Sequence, residues 1–256
     1  MATEKKILIV GKHGVKGPDG NAILPESYAR LFTQGASLRD FIQEHDVSPS
    51  QTFIGHSNQI KTLRTAKATA AGAFRVPIMP EDAYFDNFRI PGLENITQVE
   101  GLSYEPNFKF NVNAYKQEGE TAYMAKWIGN PQAEEYNGAT ITSFNDTFNE
   151  SRGALNNTMK RLIHGNNKLG ILTTHGGLIE ALAIRALVPL GIDCPKETPE
   201  IFEQLGDHFP MEDYFTIEVE CNPDKRHLVG KFKRIKGTHI IQTPVDIGSL
   251  IYEPGL

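Results

Sequence analysis

The chain has few cysteines, a short first apolar run and no excess of positive charge. Its two cysteines, Cys194 and Cys221, show none of the CxxC or Cys/His spacings of a metal site. A disulfide-stapled or metal-ribbon protein is therefore not expected, and a reducing, cytoplasmic setting is. The aliphatic run Ile7–Val10 is too short for a signal sequence or a membrane span, so no membrane association is predicted.

The charge balance restricts the class of partner. The formal net charge is −5 and the isoelectric point is near 5.9, which argues against nucleic acid or an anionic membrane surface as the main partner. A local basic pocket remains compatible with this balance. Hydrophobic residues make up 39% and charged residues 22% of the 256 residues, values typical of a folded globular chain that can bury a core.

The apolar pattern predicts alternating strands and helices. Continuous aliphatic runs indicate buried strands at 6–10, 52–55 and 168–174, and helical spacing follows each of them, at 24–45, 58–74 and 176–188. This alternation predicts an α/β fold, a mostly parallel central sheet with helices on both faces. Two alternating segments, 214–220 and 227–235, predict an antiparallel pair joined by a turn at 221–226.

One segment departs from that alternation. From about 76 to 145 the sequence is rich in Pro, Asn, Gly and aromatic residues, with one predicted helix at 119–129. Its aromatic side chains need burial, so we interpret the segment as a cap-like insertion within a single domain spanning 1–256.

Polar residues stand at the ends of three predicted strands. The first ends in Lys12-His13-Gly14, the second in His56-Ser57, and the third in His175-Gly176-Gly177, while Arg64 lies in the helix after the second. In open α/β sheets the ligand lies outside the carboxyl ends of the strands. Two histidines, a lysine and an arginine converging there predict a cationic pocket suited to a phosphoryl group, since Arg and Lys bind phosphate oxygens and glycines admit close backbone contact.

This arrangement resembles the histidine phosphatase (phosphoglycerate mutase-like) superfamily. That family carries Arg-His-Gly after the first strand, an Arg-Thr-containing helix after the second, and His-Gly-Gly at the end of a later strand. The three segments of this chain match in order, and the resemblance extends over most of the chain apart from the middle segment.

The resemblance implies a role for each matching residue. His13 corresponds to the nucleophile that becomes phosphorylated, and His175 to the second histidine that contacts the transferring phosphoryl group. Arg64 corresponds to a phosphate-clamping arginine. Lys12, Ser57 and Gly176 complete the predicted phosphate-binding set, with a cap of the following helix as the equal alternative for Ser57. No metal and no cofactor are expected.

The chain departs from the family pattern at three places. Lys12 stands where the family has Arg, which keeps the charge but loses bidentate geometry. Thr69 lies five residues after Arg64, where the family has a threonine four after its arginine. Gly176 stands where one branch of the family has its acid, so the acid is sought in the loop after Val76.

Three carboxylates there could protonate a leaving group, Glu81, Asp82 and Asp86. The resemblance implies that the acid of the family's other branch falls at Asp86, which is therefore preferred over Asp82. Glu180 is expected to be too far along its helix to serve, and Lys16 is expected to be a surface charge.

The function predicted from these residues is a phosphatase that hydrolyses a phosphomonoester through a phosphohistidine on His13. A small phosphorylated metabolite is favoured as substrate over a phosphoprotein. Phosphoglycerate mutase-type transfer is the sibling alternative, and it is weakened because the Asn-Glu-Arg run of that branch is missing from the sequence. A non-catalytic module that binds a phosphorylated ligand is the second alternative, suggested by Lys12. A homodimer is left open.

Overall fold

A central sheet of seven strands organises the molecule. In this computed structural model the described residues are 4–17, 20, 22–103, 116–130, 134–136, 139–188, 194–221, 228–236 and 239–247. Among them the strand order is β3-β2-β6-β1-β7-β8-β9, and a separate two-stranded sheet pairs β4 with β5.

The strands are β1 (Glu4–Lys12), β2 (Thr52–His56), β3 (Ile96–Gln98), β4 (Glu134–Tyr136), β5 (Ala139–Ile141), β6 (Leu169–Thr174), β7 (Tyr214–Cys221), β8 (Leu228–Lys236) and β9 (His239–Asp246). The helices are α1 (Pro25–Ala36), α2 (Arg39–Glu44), α3 (Ile60–Ala73), α4 (Asp82–Asn87), α5 (Glu120–Gly129), α6 (Phe144–His164), α7 (Leu178–Leu187) and α8 (Thr198–Gln204), with a 3₁₀ turn at Pro49–Gln51.

The parallel half of the sheet is buried on both faces. Strands β3, β2, β6 and β1 run parallel, and the side chains of β1 alternate between two apolar clusters. Ile7 and Ile9 lie in the cluster covered by α1 and α3, whereas Leu8 and Val10 lie in the cluster covered by α6 and α7. A strand places successive side chains on opposite faces, so an unbroken aliphatic run is required here. The predicted α/β fold is confirmed.

The other half of the sheet is antiparallel. β7 pairs with β1 and with β8, as the alternation at 214–220 and 227–235 predicts, and β9 extends the sheet beyond β8. Most of the predicted turn at 221–226 lies outside the described residues. Strand β9 was not predicted, because its mixture of polar and aliphatic residues has little apolar alternation on an exposed edge.

The helices α1 and α3 cross at two glycines. A Cβ on Gly35 would lie 1.8 Å from the carbonyl oxygen of Thr69, and a Cβ on Gly72 would lie 1.9 Å from that of Phe32. Only glycine permits this backbone approach. The single helix predicted at 24–45 is instead two, α1 and α2, because the chain turns at Ser37 and Leu38.

Parts of the predicted insertion at 76–145 are integrated into the main fold. Strand β3 pairs with β2 in the central sheet, and Tyr123 and Trp127 of α5 belong to the same apolar cluster as Leu8 and Val10. Among the described residues of this segment, Phe85, Phe88, Tyr123, Trp127 and Phe144 are buried. The aromatic residues between 104 and 115 lie outside the described part of the chain, and the division into domain and cap stays a prediction. Within the described part of the chain, no helix is long and apolar enough to cross a membrane.

Candidate active site

His13 lies immediately after β1, at the carboxyl end of the sheet. Its side chain is 2% exposed, and its backbone N–H donates to the carbonyl oxygen of Thr174 at 3.0 Å. The next residue, Gly14, has no room for a side chain, since a Cβ there would lie 2.5 Å from Ser27 Oγ. The Gly14 N–H donates to Thr65 Oγ1 at 3.0 Å, so the loop after β1 is held against α3.

The hydrogen bond of His13 assigns its tautomer. Nδ1 lies 2.8 Å from the carbonyl oxygen of Gly14, and a carbonyl only accepts, so Nδ1 carries the proton and Nε2 carries the lone pair of the neutral ring. The pKa of His13 is lowered to about 3, mainly by burial and to a smaller extent by the charges of Lys61, Lys16 and Lys12, while the bond to Gly14 opposes this lowering. His13 is therefore neutral at physiological pH.

His175 is the second histidine of the site. It follows β6, is 2% exposed, and its ring centroid lies 5.2 Å from that of His13 with an interplanar angle of 61°. A hydrogen bond of 2.8 Å joins its Nε2 to Ser57 Oγ. The pKa of His175 is lowered to about 2, mainly by burial and to a smaller extent by His13 and the same lysines. The structure thus brings together His13, His175 and Ser57, three of the predicted site residues.

Lys61 is a site residue that the sequence reasoning missed. It is 5% exposed on the first turn of α3, and burial together with the neighbouring Lys16 ammonium lowers its pKa to about 8. Lys61 and Thr65 share one face of α3, since residues four apart lie above one another on a helix. A cation four residues before a threonine is also the spacing of the family's clamping arginine, so this pair was the pattern to look for.

Lys16 was predicted to be a surface charge. It is exposed, in a small hairpin where it pairs with Ile23, yet its charge lowers the pKa of His13, His175 and Lys61. Lys16 is thus a surface charge, as predicted, and its charge also acts on the two histidines.

Lys12 is buried and held by two oxygen atoms. Its Nζ donates to Glu120 Oε1 at 2.6 Å and to the carbonyl oxygen of Phe209 at 2.6 Å. Gly176 accommodates the lysine, since a Cβ there would lie 3.1 Å from Nζ. Lys12 and Gly176, both predicted to bind phosphate, are thus neighbours, and the lysine already has a carboxylate partner.

Arg64 and Asp86 are bound to each other. Arg64 Nε and Nη2 donate to the two carboxylate oxygens of Asp86 at 2.7 and 2.8 Å, and Nη1 lies 2.9 Å from Asp82 Oδ2. The bond from Arg64 lowers the pKa of the Asp86 carboxyl. Arg64 is one position away from Thr65 on α3, so it points 100° away from Thr65, toward α4.

This pairing bears on two predicted roles. An arginine engaged by two carboxylates loses those ion pairs when it turns to bind phosphate. A carboxyl with a lowered pKa is deprotonated at neutral pH, so it holds no proton to donate. The contacts therefore give no support to Arg64 as the clamp or to Asp86 as the acid. Glu180 was predicted to lie too far along its helix to act as the acid. Its carboxylate accepts hydrogen bonds from the N–H groups of Gly177 at 2.6 Å and Phe209 at 2.8 Å, so it holds these two backbone segments together.

Comparisons with known proteins find similarity in structure. No family model matches the chain, and no curated protein matches it. A mycobacterial glucosyl-3-phosphoglycerate phosphatase superposes with a TM-score of 0.50 and 13% identity, covering 90% of this chain and 97% of that one. A phytase of a Klebsiella species gives a TM-score of 0.47 at 11% identity, covering 99% and 91%, and a phosphoglycerate mutase of Bacillus anthracis gives 0.45 at 10%, covering 97% and 95%.

The similarity to the mycobacterial phosphatase, at a TM-score of 0.50, shows the class of fold. The chain has the histidine phosphatase (phosphoglycerate mutase-like) fold, so the resemblance inferred from its three strand-end motifs is confirmed at the level of fold. That fold places the ends of β1, β2 and β6 side by side, which is where His13, Ser57 and His175 lie.

Proposed function

We propose that this protein is a phosphatase that hydrolyses a phosphomonoester through a phosphohistidine on His13. The observation that carries the proposal is the state of the His13 ring: buried, neutral, and with its Nδ1 proton directed to Gly14 so that Nε2 presents a lone pair. A neutral imidazole with one nitrogen fixed as donor is a nucleophile at the other nitrogen.

The surrounding cations favour a phosphoryl group. Lys61 and Lys16 supply positive charge beside the two histidines. Burial and, second, repulsion by Lys16 lower the pKa of Lys61, and a bound dianionic phosphoryl group would offset both. His175 adds a ring nitrogen that Ser57 orients. Preorganised positive charge around a transferring phosphoryl group is the main source of catalysis in such a reaction.

The chemical steps balance as follows. His13 Nε2 attacks phosphorus, a P–N bond forms, and the bond from phosphorus to the leaving oxygen breaks with its electron pair on that oxygen. The leaving oxygen takes a proton from solvent. Water then attacks phosphorus and gives a proton back to solvent, the P–N bond breaks, and inorganic phosphate and neutral His13 are released.

A small phosphorylated metabolite is the favoured substrate class. The histidine pair is 2% exposed, and buried side chains at this depth suit a compact phosphomonoester better than a phosphoprotein surface. One structural neighbour is named for action on glucosyl-3-phosphoglycerate, a small phosphorylated molecule. Phosphoglycerate mutase-type transfer is the sibling reaction at the same histidine.

The test is turnover of a generic aryl phosphate without added metal, together with capture of an acid-labile phosphoryl adduct. The wild-type protein is expected to release product and to carry label on His13, and His13→Ala is expected to lose turnover by about a thousandfold or more. Phosphate-competable binding with no turnover would instead identify a phospho-ligand-binding module, and activity only with added metal would overturn the proposal.

A further inference from the structure

Lys12 connects strand β1 to helix α5. Two of the three protons on its ammonium are donated, one to Glu120 Oε1 and one to the Phe209 carbonyl, both at 2.6 Å. Glu120 is the first residue of α5, after Gly119 at φ +85°. The residue directly before His13 is therefore bound to the first turn of this helix.

The Phe209 backbone continues this connection to the second histidine. Its N–H donates to Glu180 Oε1 at 2.8 Å, and Glu180 Oε2 accepts from the Gly177 N–H at 2.6 Å. Gly177 belongs to the turn that follows His175. Lys12, Phe209, Glu180 and Gly177 thus form a continuous set of hydrogen bonds between the two histidine loops.

Arg234 fixes the turn that carries Phe209. It is fully buried, and its guanidinium donates to the carbonyls of Asp207 and His208, both at 2.7 Å, and to Asp213 Oδ2 at 2.7 Å. Its guanidinium carbon lies 3.6 Å from the centre of the Phe209 ring. The Phe209 carbonyl is therefore a rigid acceptor, and Lys12 is held where that carbonyl places it.

Helix α5 is seated by further contacts near the same point. His208 Nδ1 lies 2.7 Å from Thr121 Oγ1, and His208 Nε2 lies 3.8 Å from Glu120 Oε2. A Cβ on Gly177 would lie 3.3 Å from the Trp127 ring, so the helix packs directly on the turn after His175. The position of α5 is thus set by His208 and by two residues near the histidines in sequence, Lys12 and Gly177.

We propose that Lys12 is a positioning residue that seats helix α5 against the residues flanking the two histidines, while Lys61 and Lys16 hold the phosphoryl group. This inference rests on the proposed function, and it assigns the part of the substrate beyond the phosphoryl group to the surface that α5 presents. It also explains why a lysine suffices at this position. An ammonium satisfied by one carboxylate and one carbonyl needs no bidentate fork.

The test compares Lys12→Met and Glu120→Gln with Lys61→Met. We expect both Lys12→Met and Glu120→Gln to raise KM for a phosphomonoester with a bulky leaving group by about tenfold, because each releases α5. Inhibition by inorganic phosphate should change less than about twofold in both. The double variant should be no worse than either single one, since both remove the same ion pair. Lys61→Met should weaken phosphate inhibition instead.

A second readout does not depend on activity. Hydrogen exchange of residues 120–129 should become faster in Lys12→Met and in Glu120→Gln, and Lys12→Arg should restore slow exchange in part. Glu118→Gln is the matched control. Glu118 lies just before α5 and pairs with Lys126, an exposed residue within that helix, at 3.5 Å. It should change neither exchange nor KM.

Two results would overturn the proposal. In the first, Lys12→Met loses as much phosphate inhibition as Lys61→Met does, while Glu120→Gln loses none. That result would make Lys12 a phosphate clamp. The other is unchanged exchange at 120–129 in both variants. Failure of the proposed function is distinguishable, since the wild-type protein would then neither hydrolyse an aryl phosphate nor bind phosphate while the exchange coupling persisted.

Discussion

Two basic side chains on one helix meet opposite surroundings. Lys61, on the first turn of α3, lies among Lys16 and two neutral histidines, and burial and repulsion lower its pKa to about 8. Arg64, one turn further, is held by Asp86 and Asp82 at 2.7 to 2.9 Å. The first cation is destabilised in its charged form, and the second has its charge balanced within the fold.

The difference separates a binding site from a structural ion pair. A destabilised cation gains from an incoming anion, because the anion supplies the partner that the fold withholds. A cation with two carboxylate partners gains little, because binding another anion means losing them. The comparison therefore favours Lys61 over Arg64 as the phosphate ligand, although the sequence pointed to Arg64.

The most direct way to break this comparison is to remove each charge in turn. Lys61→Met is expected to weaken inhibition by inorganic phosphate about tenfold to a hundredfold, the worth of a charge-assisted hydrogen bond. Arg64→Met is expected to leave that inhibition within about twofold and to lower the free energy of unfolding by about 1–2 kcal/mol, through loss of its ion pairs. Inhibition constants and urea unfolding of both variants provide the measurement.

The reverse pattern would restore the assignment made from sequence. If Arg64→Met abolished phosphate inhibition while Lys61→Met kept it, the ion pairs of Arg64 would have to open on binding, and the contrast drawn from the free protein would be wrong.

The pH dependence of phosphate binding sharpens the contrast. Lys61 binds anions as an ammonium, and its pKa is about 8. Above that pH the affinity of the wild-type protein is therefore expected to fall by up to about tenfold per pH unit relative to Lys61→Arg, and the comparison cancels the titration of phosphate itself. Lys61→Arg should keep its affinity up to pH 9, because a guanidinium stays protonated. Phosphate inhibition measured from pH 6.5 to 9.5 checks this, and a fall of equal size in both proteins would exclude Lys61 as its source.

Asp86 gives the next effect in size. Its pKa is lowered by Arg64, so Asp86→Asn is expected to leave the dependence of rate on leaving-group pKa unchanged and to lower stability by about 1 kcal/mol, as loss of a partly exposed ion pair does. A series of aryl phosphates with good and poor leaving groups tests this. Selective slowing of the poor ones would re-establish Asp86 as the acid, and the same selectivity in Asp82→Asn would transfer the role to Asp82.

A separate effect concerns acid stability. His13 and His175 are kept neutral in the fold with their pKa values lowered to about 3 and about 2, whereas an unfolded histidine titrates near 6.5. The unfolded chain therefore binds more protons below pH 6.5, and the stability present in full above that pH is lost as pH falls toward 3.

Replacing one buried histidine should reduce that loss. Between pH 6.5 and 4 the free energy of unfolding is expected to fall less steeply in His175→Gln than in the wild type. The difference in slope is up to about 1.4 kcal/mol per pH unit, because the unfolded variant binds one proton fewer. Urea unfolding at several pH values measures this, with His45→Gln, at the end of α2, as the control for loss of an imidazole. Parallel curves for the wild type and His175→Gln would contradict the lowered pKa.

Much of the fold could be predicted because its strands are buried on both faces. β1, β2 and β6 are short, continuous apolar runs, a pattern typical of a strand buried on both faces. The helices that follow them have apolar residues at helical spacing. β3 has three residues and β9 lies at an exposed edge, so neither has a pattern strong enough to stand out. Their place depends on the strand beside them.

The candidate site could be predicted in part for a related reason. Residues at the ends of parallel strands must meet at one edge, so His13, Ser57 and His175 followed from the order of the strands. Arg64 and Lys61 are three residues apart on one helix, and only the packing of α3 against α4 shows which of the two is paired with carboxylates.

By itself the sequence determined the α/β alternation, the two histidines and the glycines beside them, because strand ends and their polar residues are local features. Only the tertiary structure decided how the cations are used. Lys12 meets Glu120, 108 residues away, and the Phe209 carbonyl, 197 residues away. The role of a charge depends on the partners that the fold brings to it, and those partners are distant in the chain.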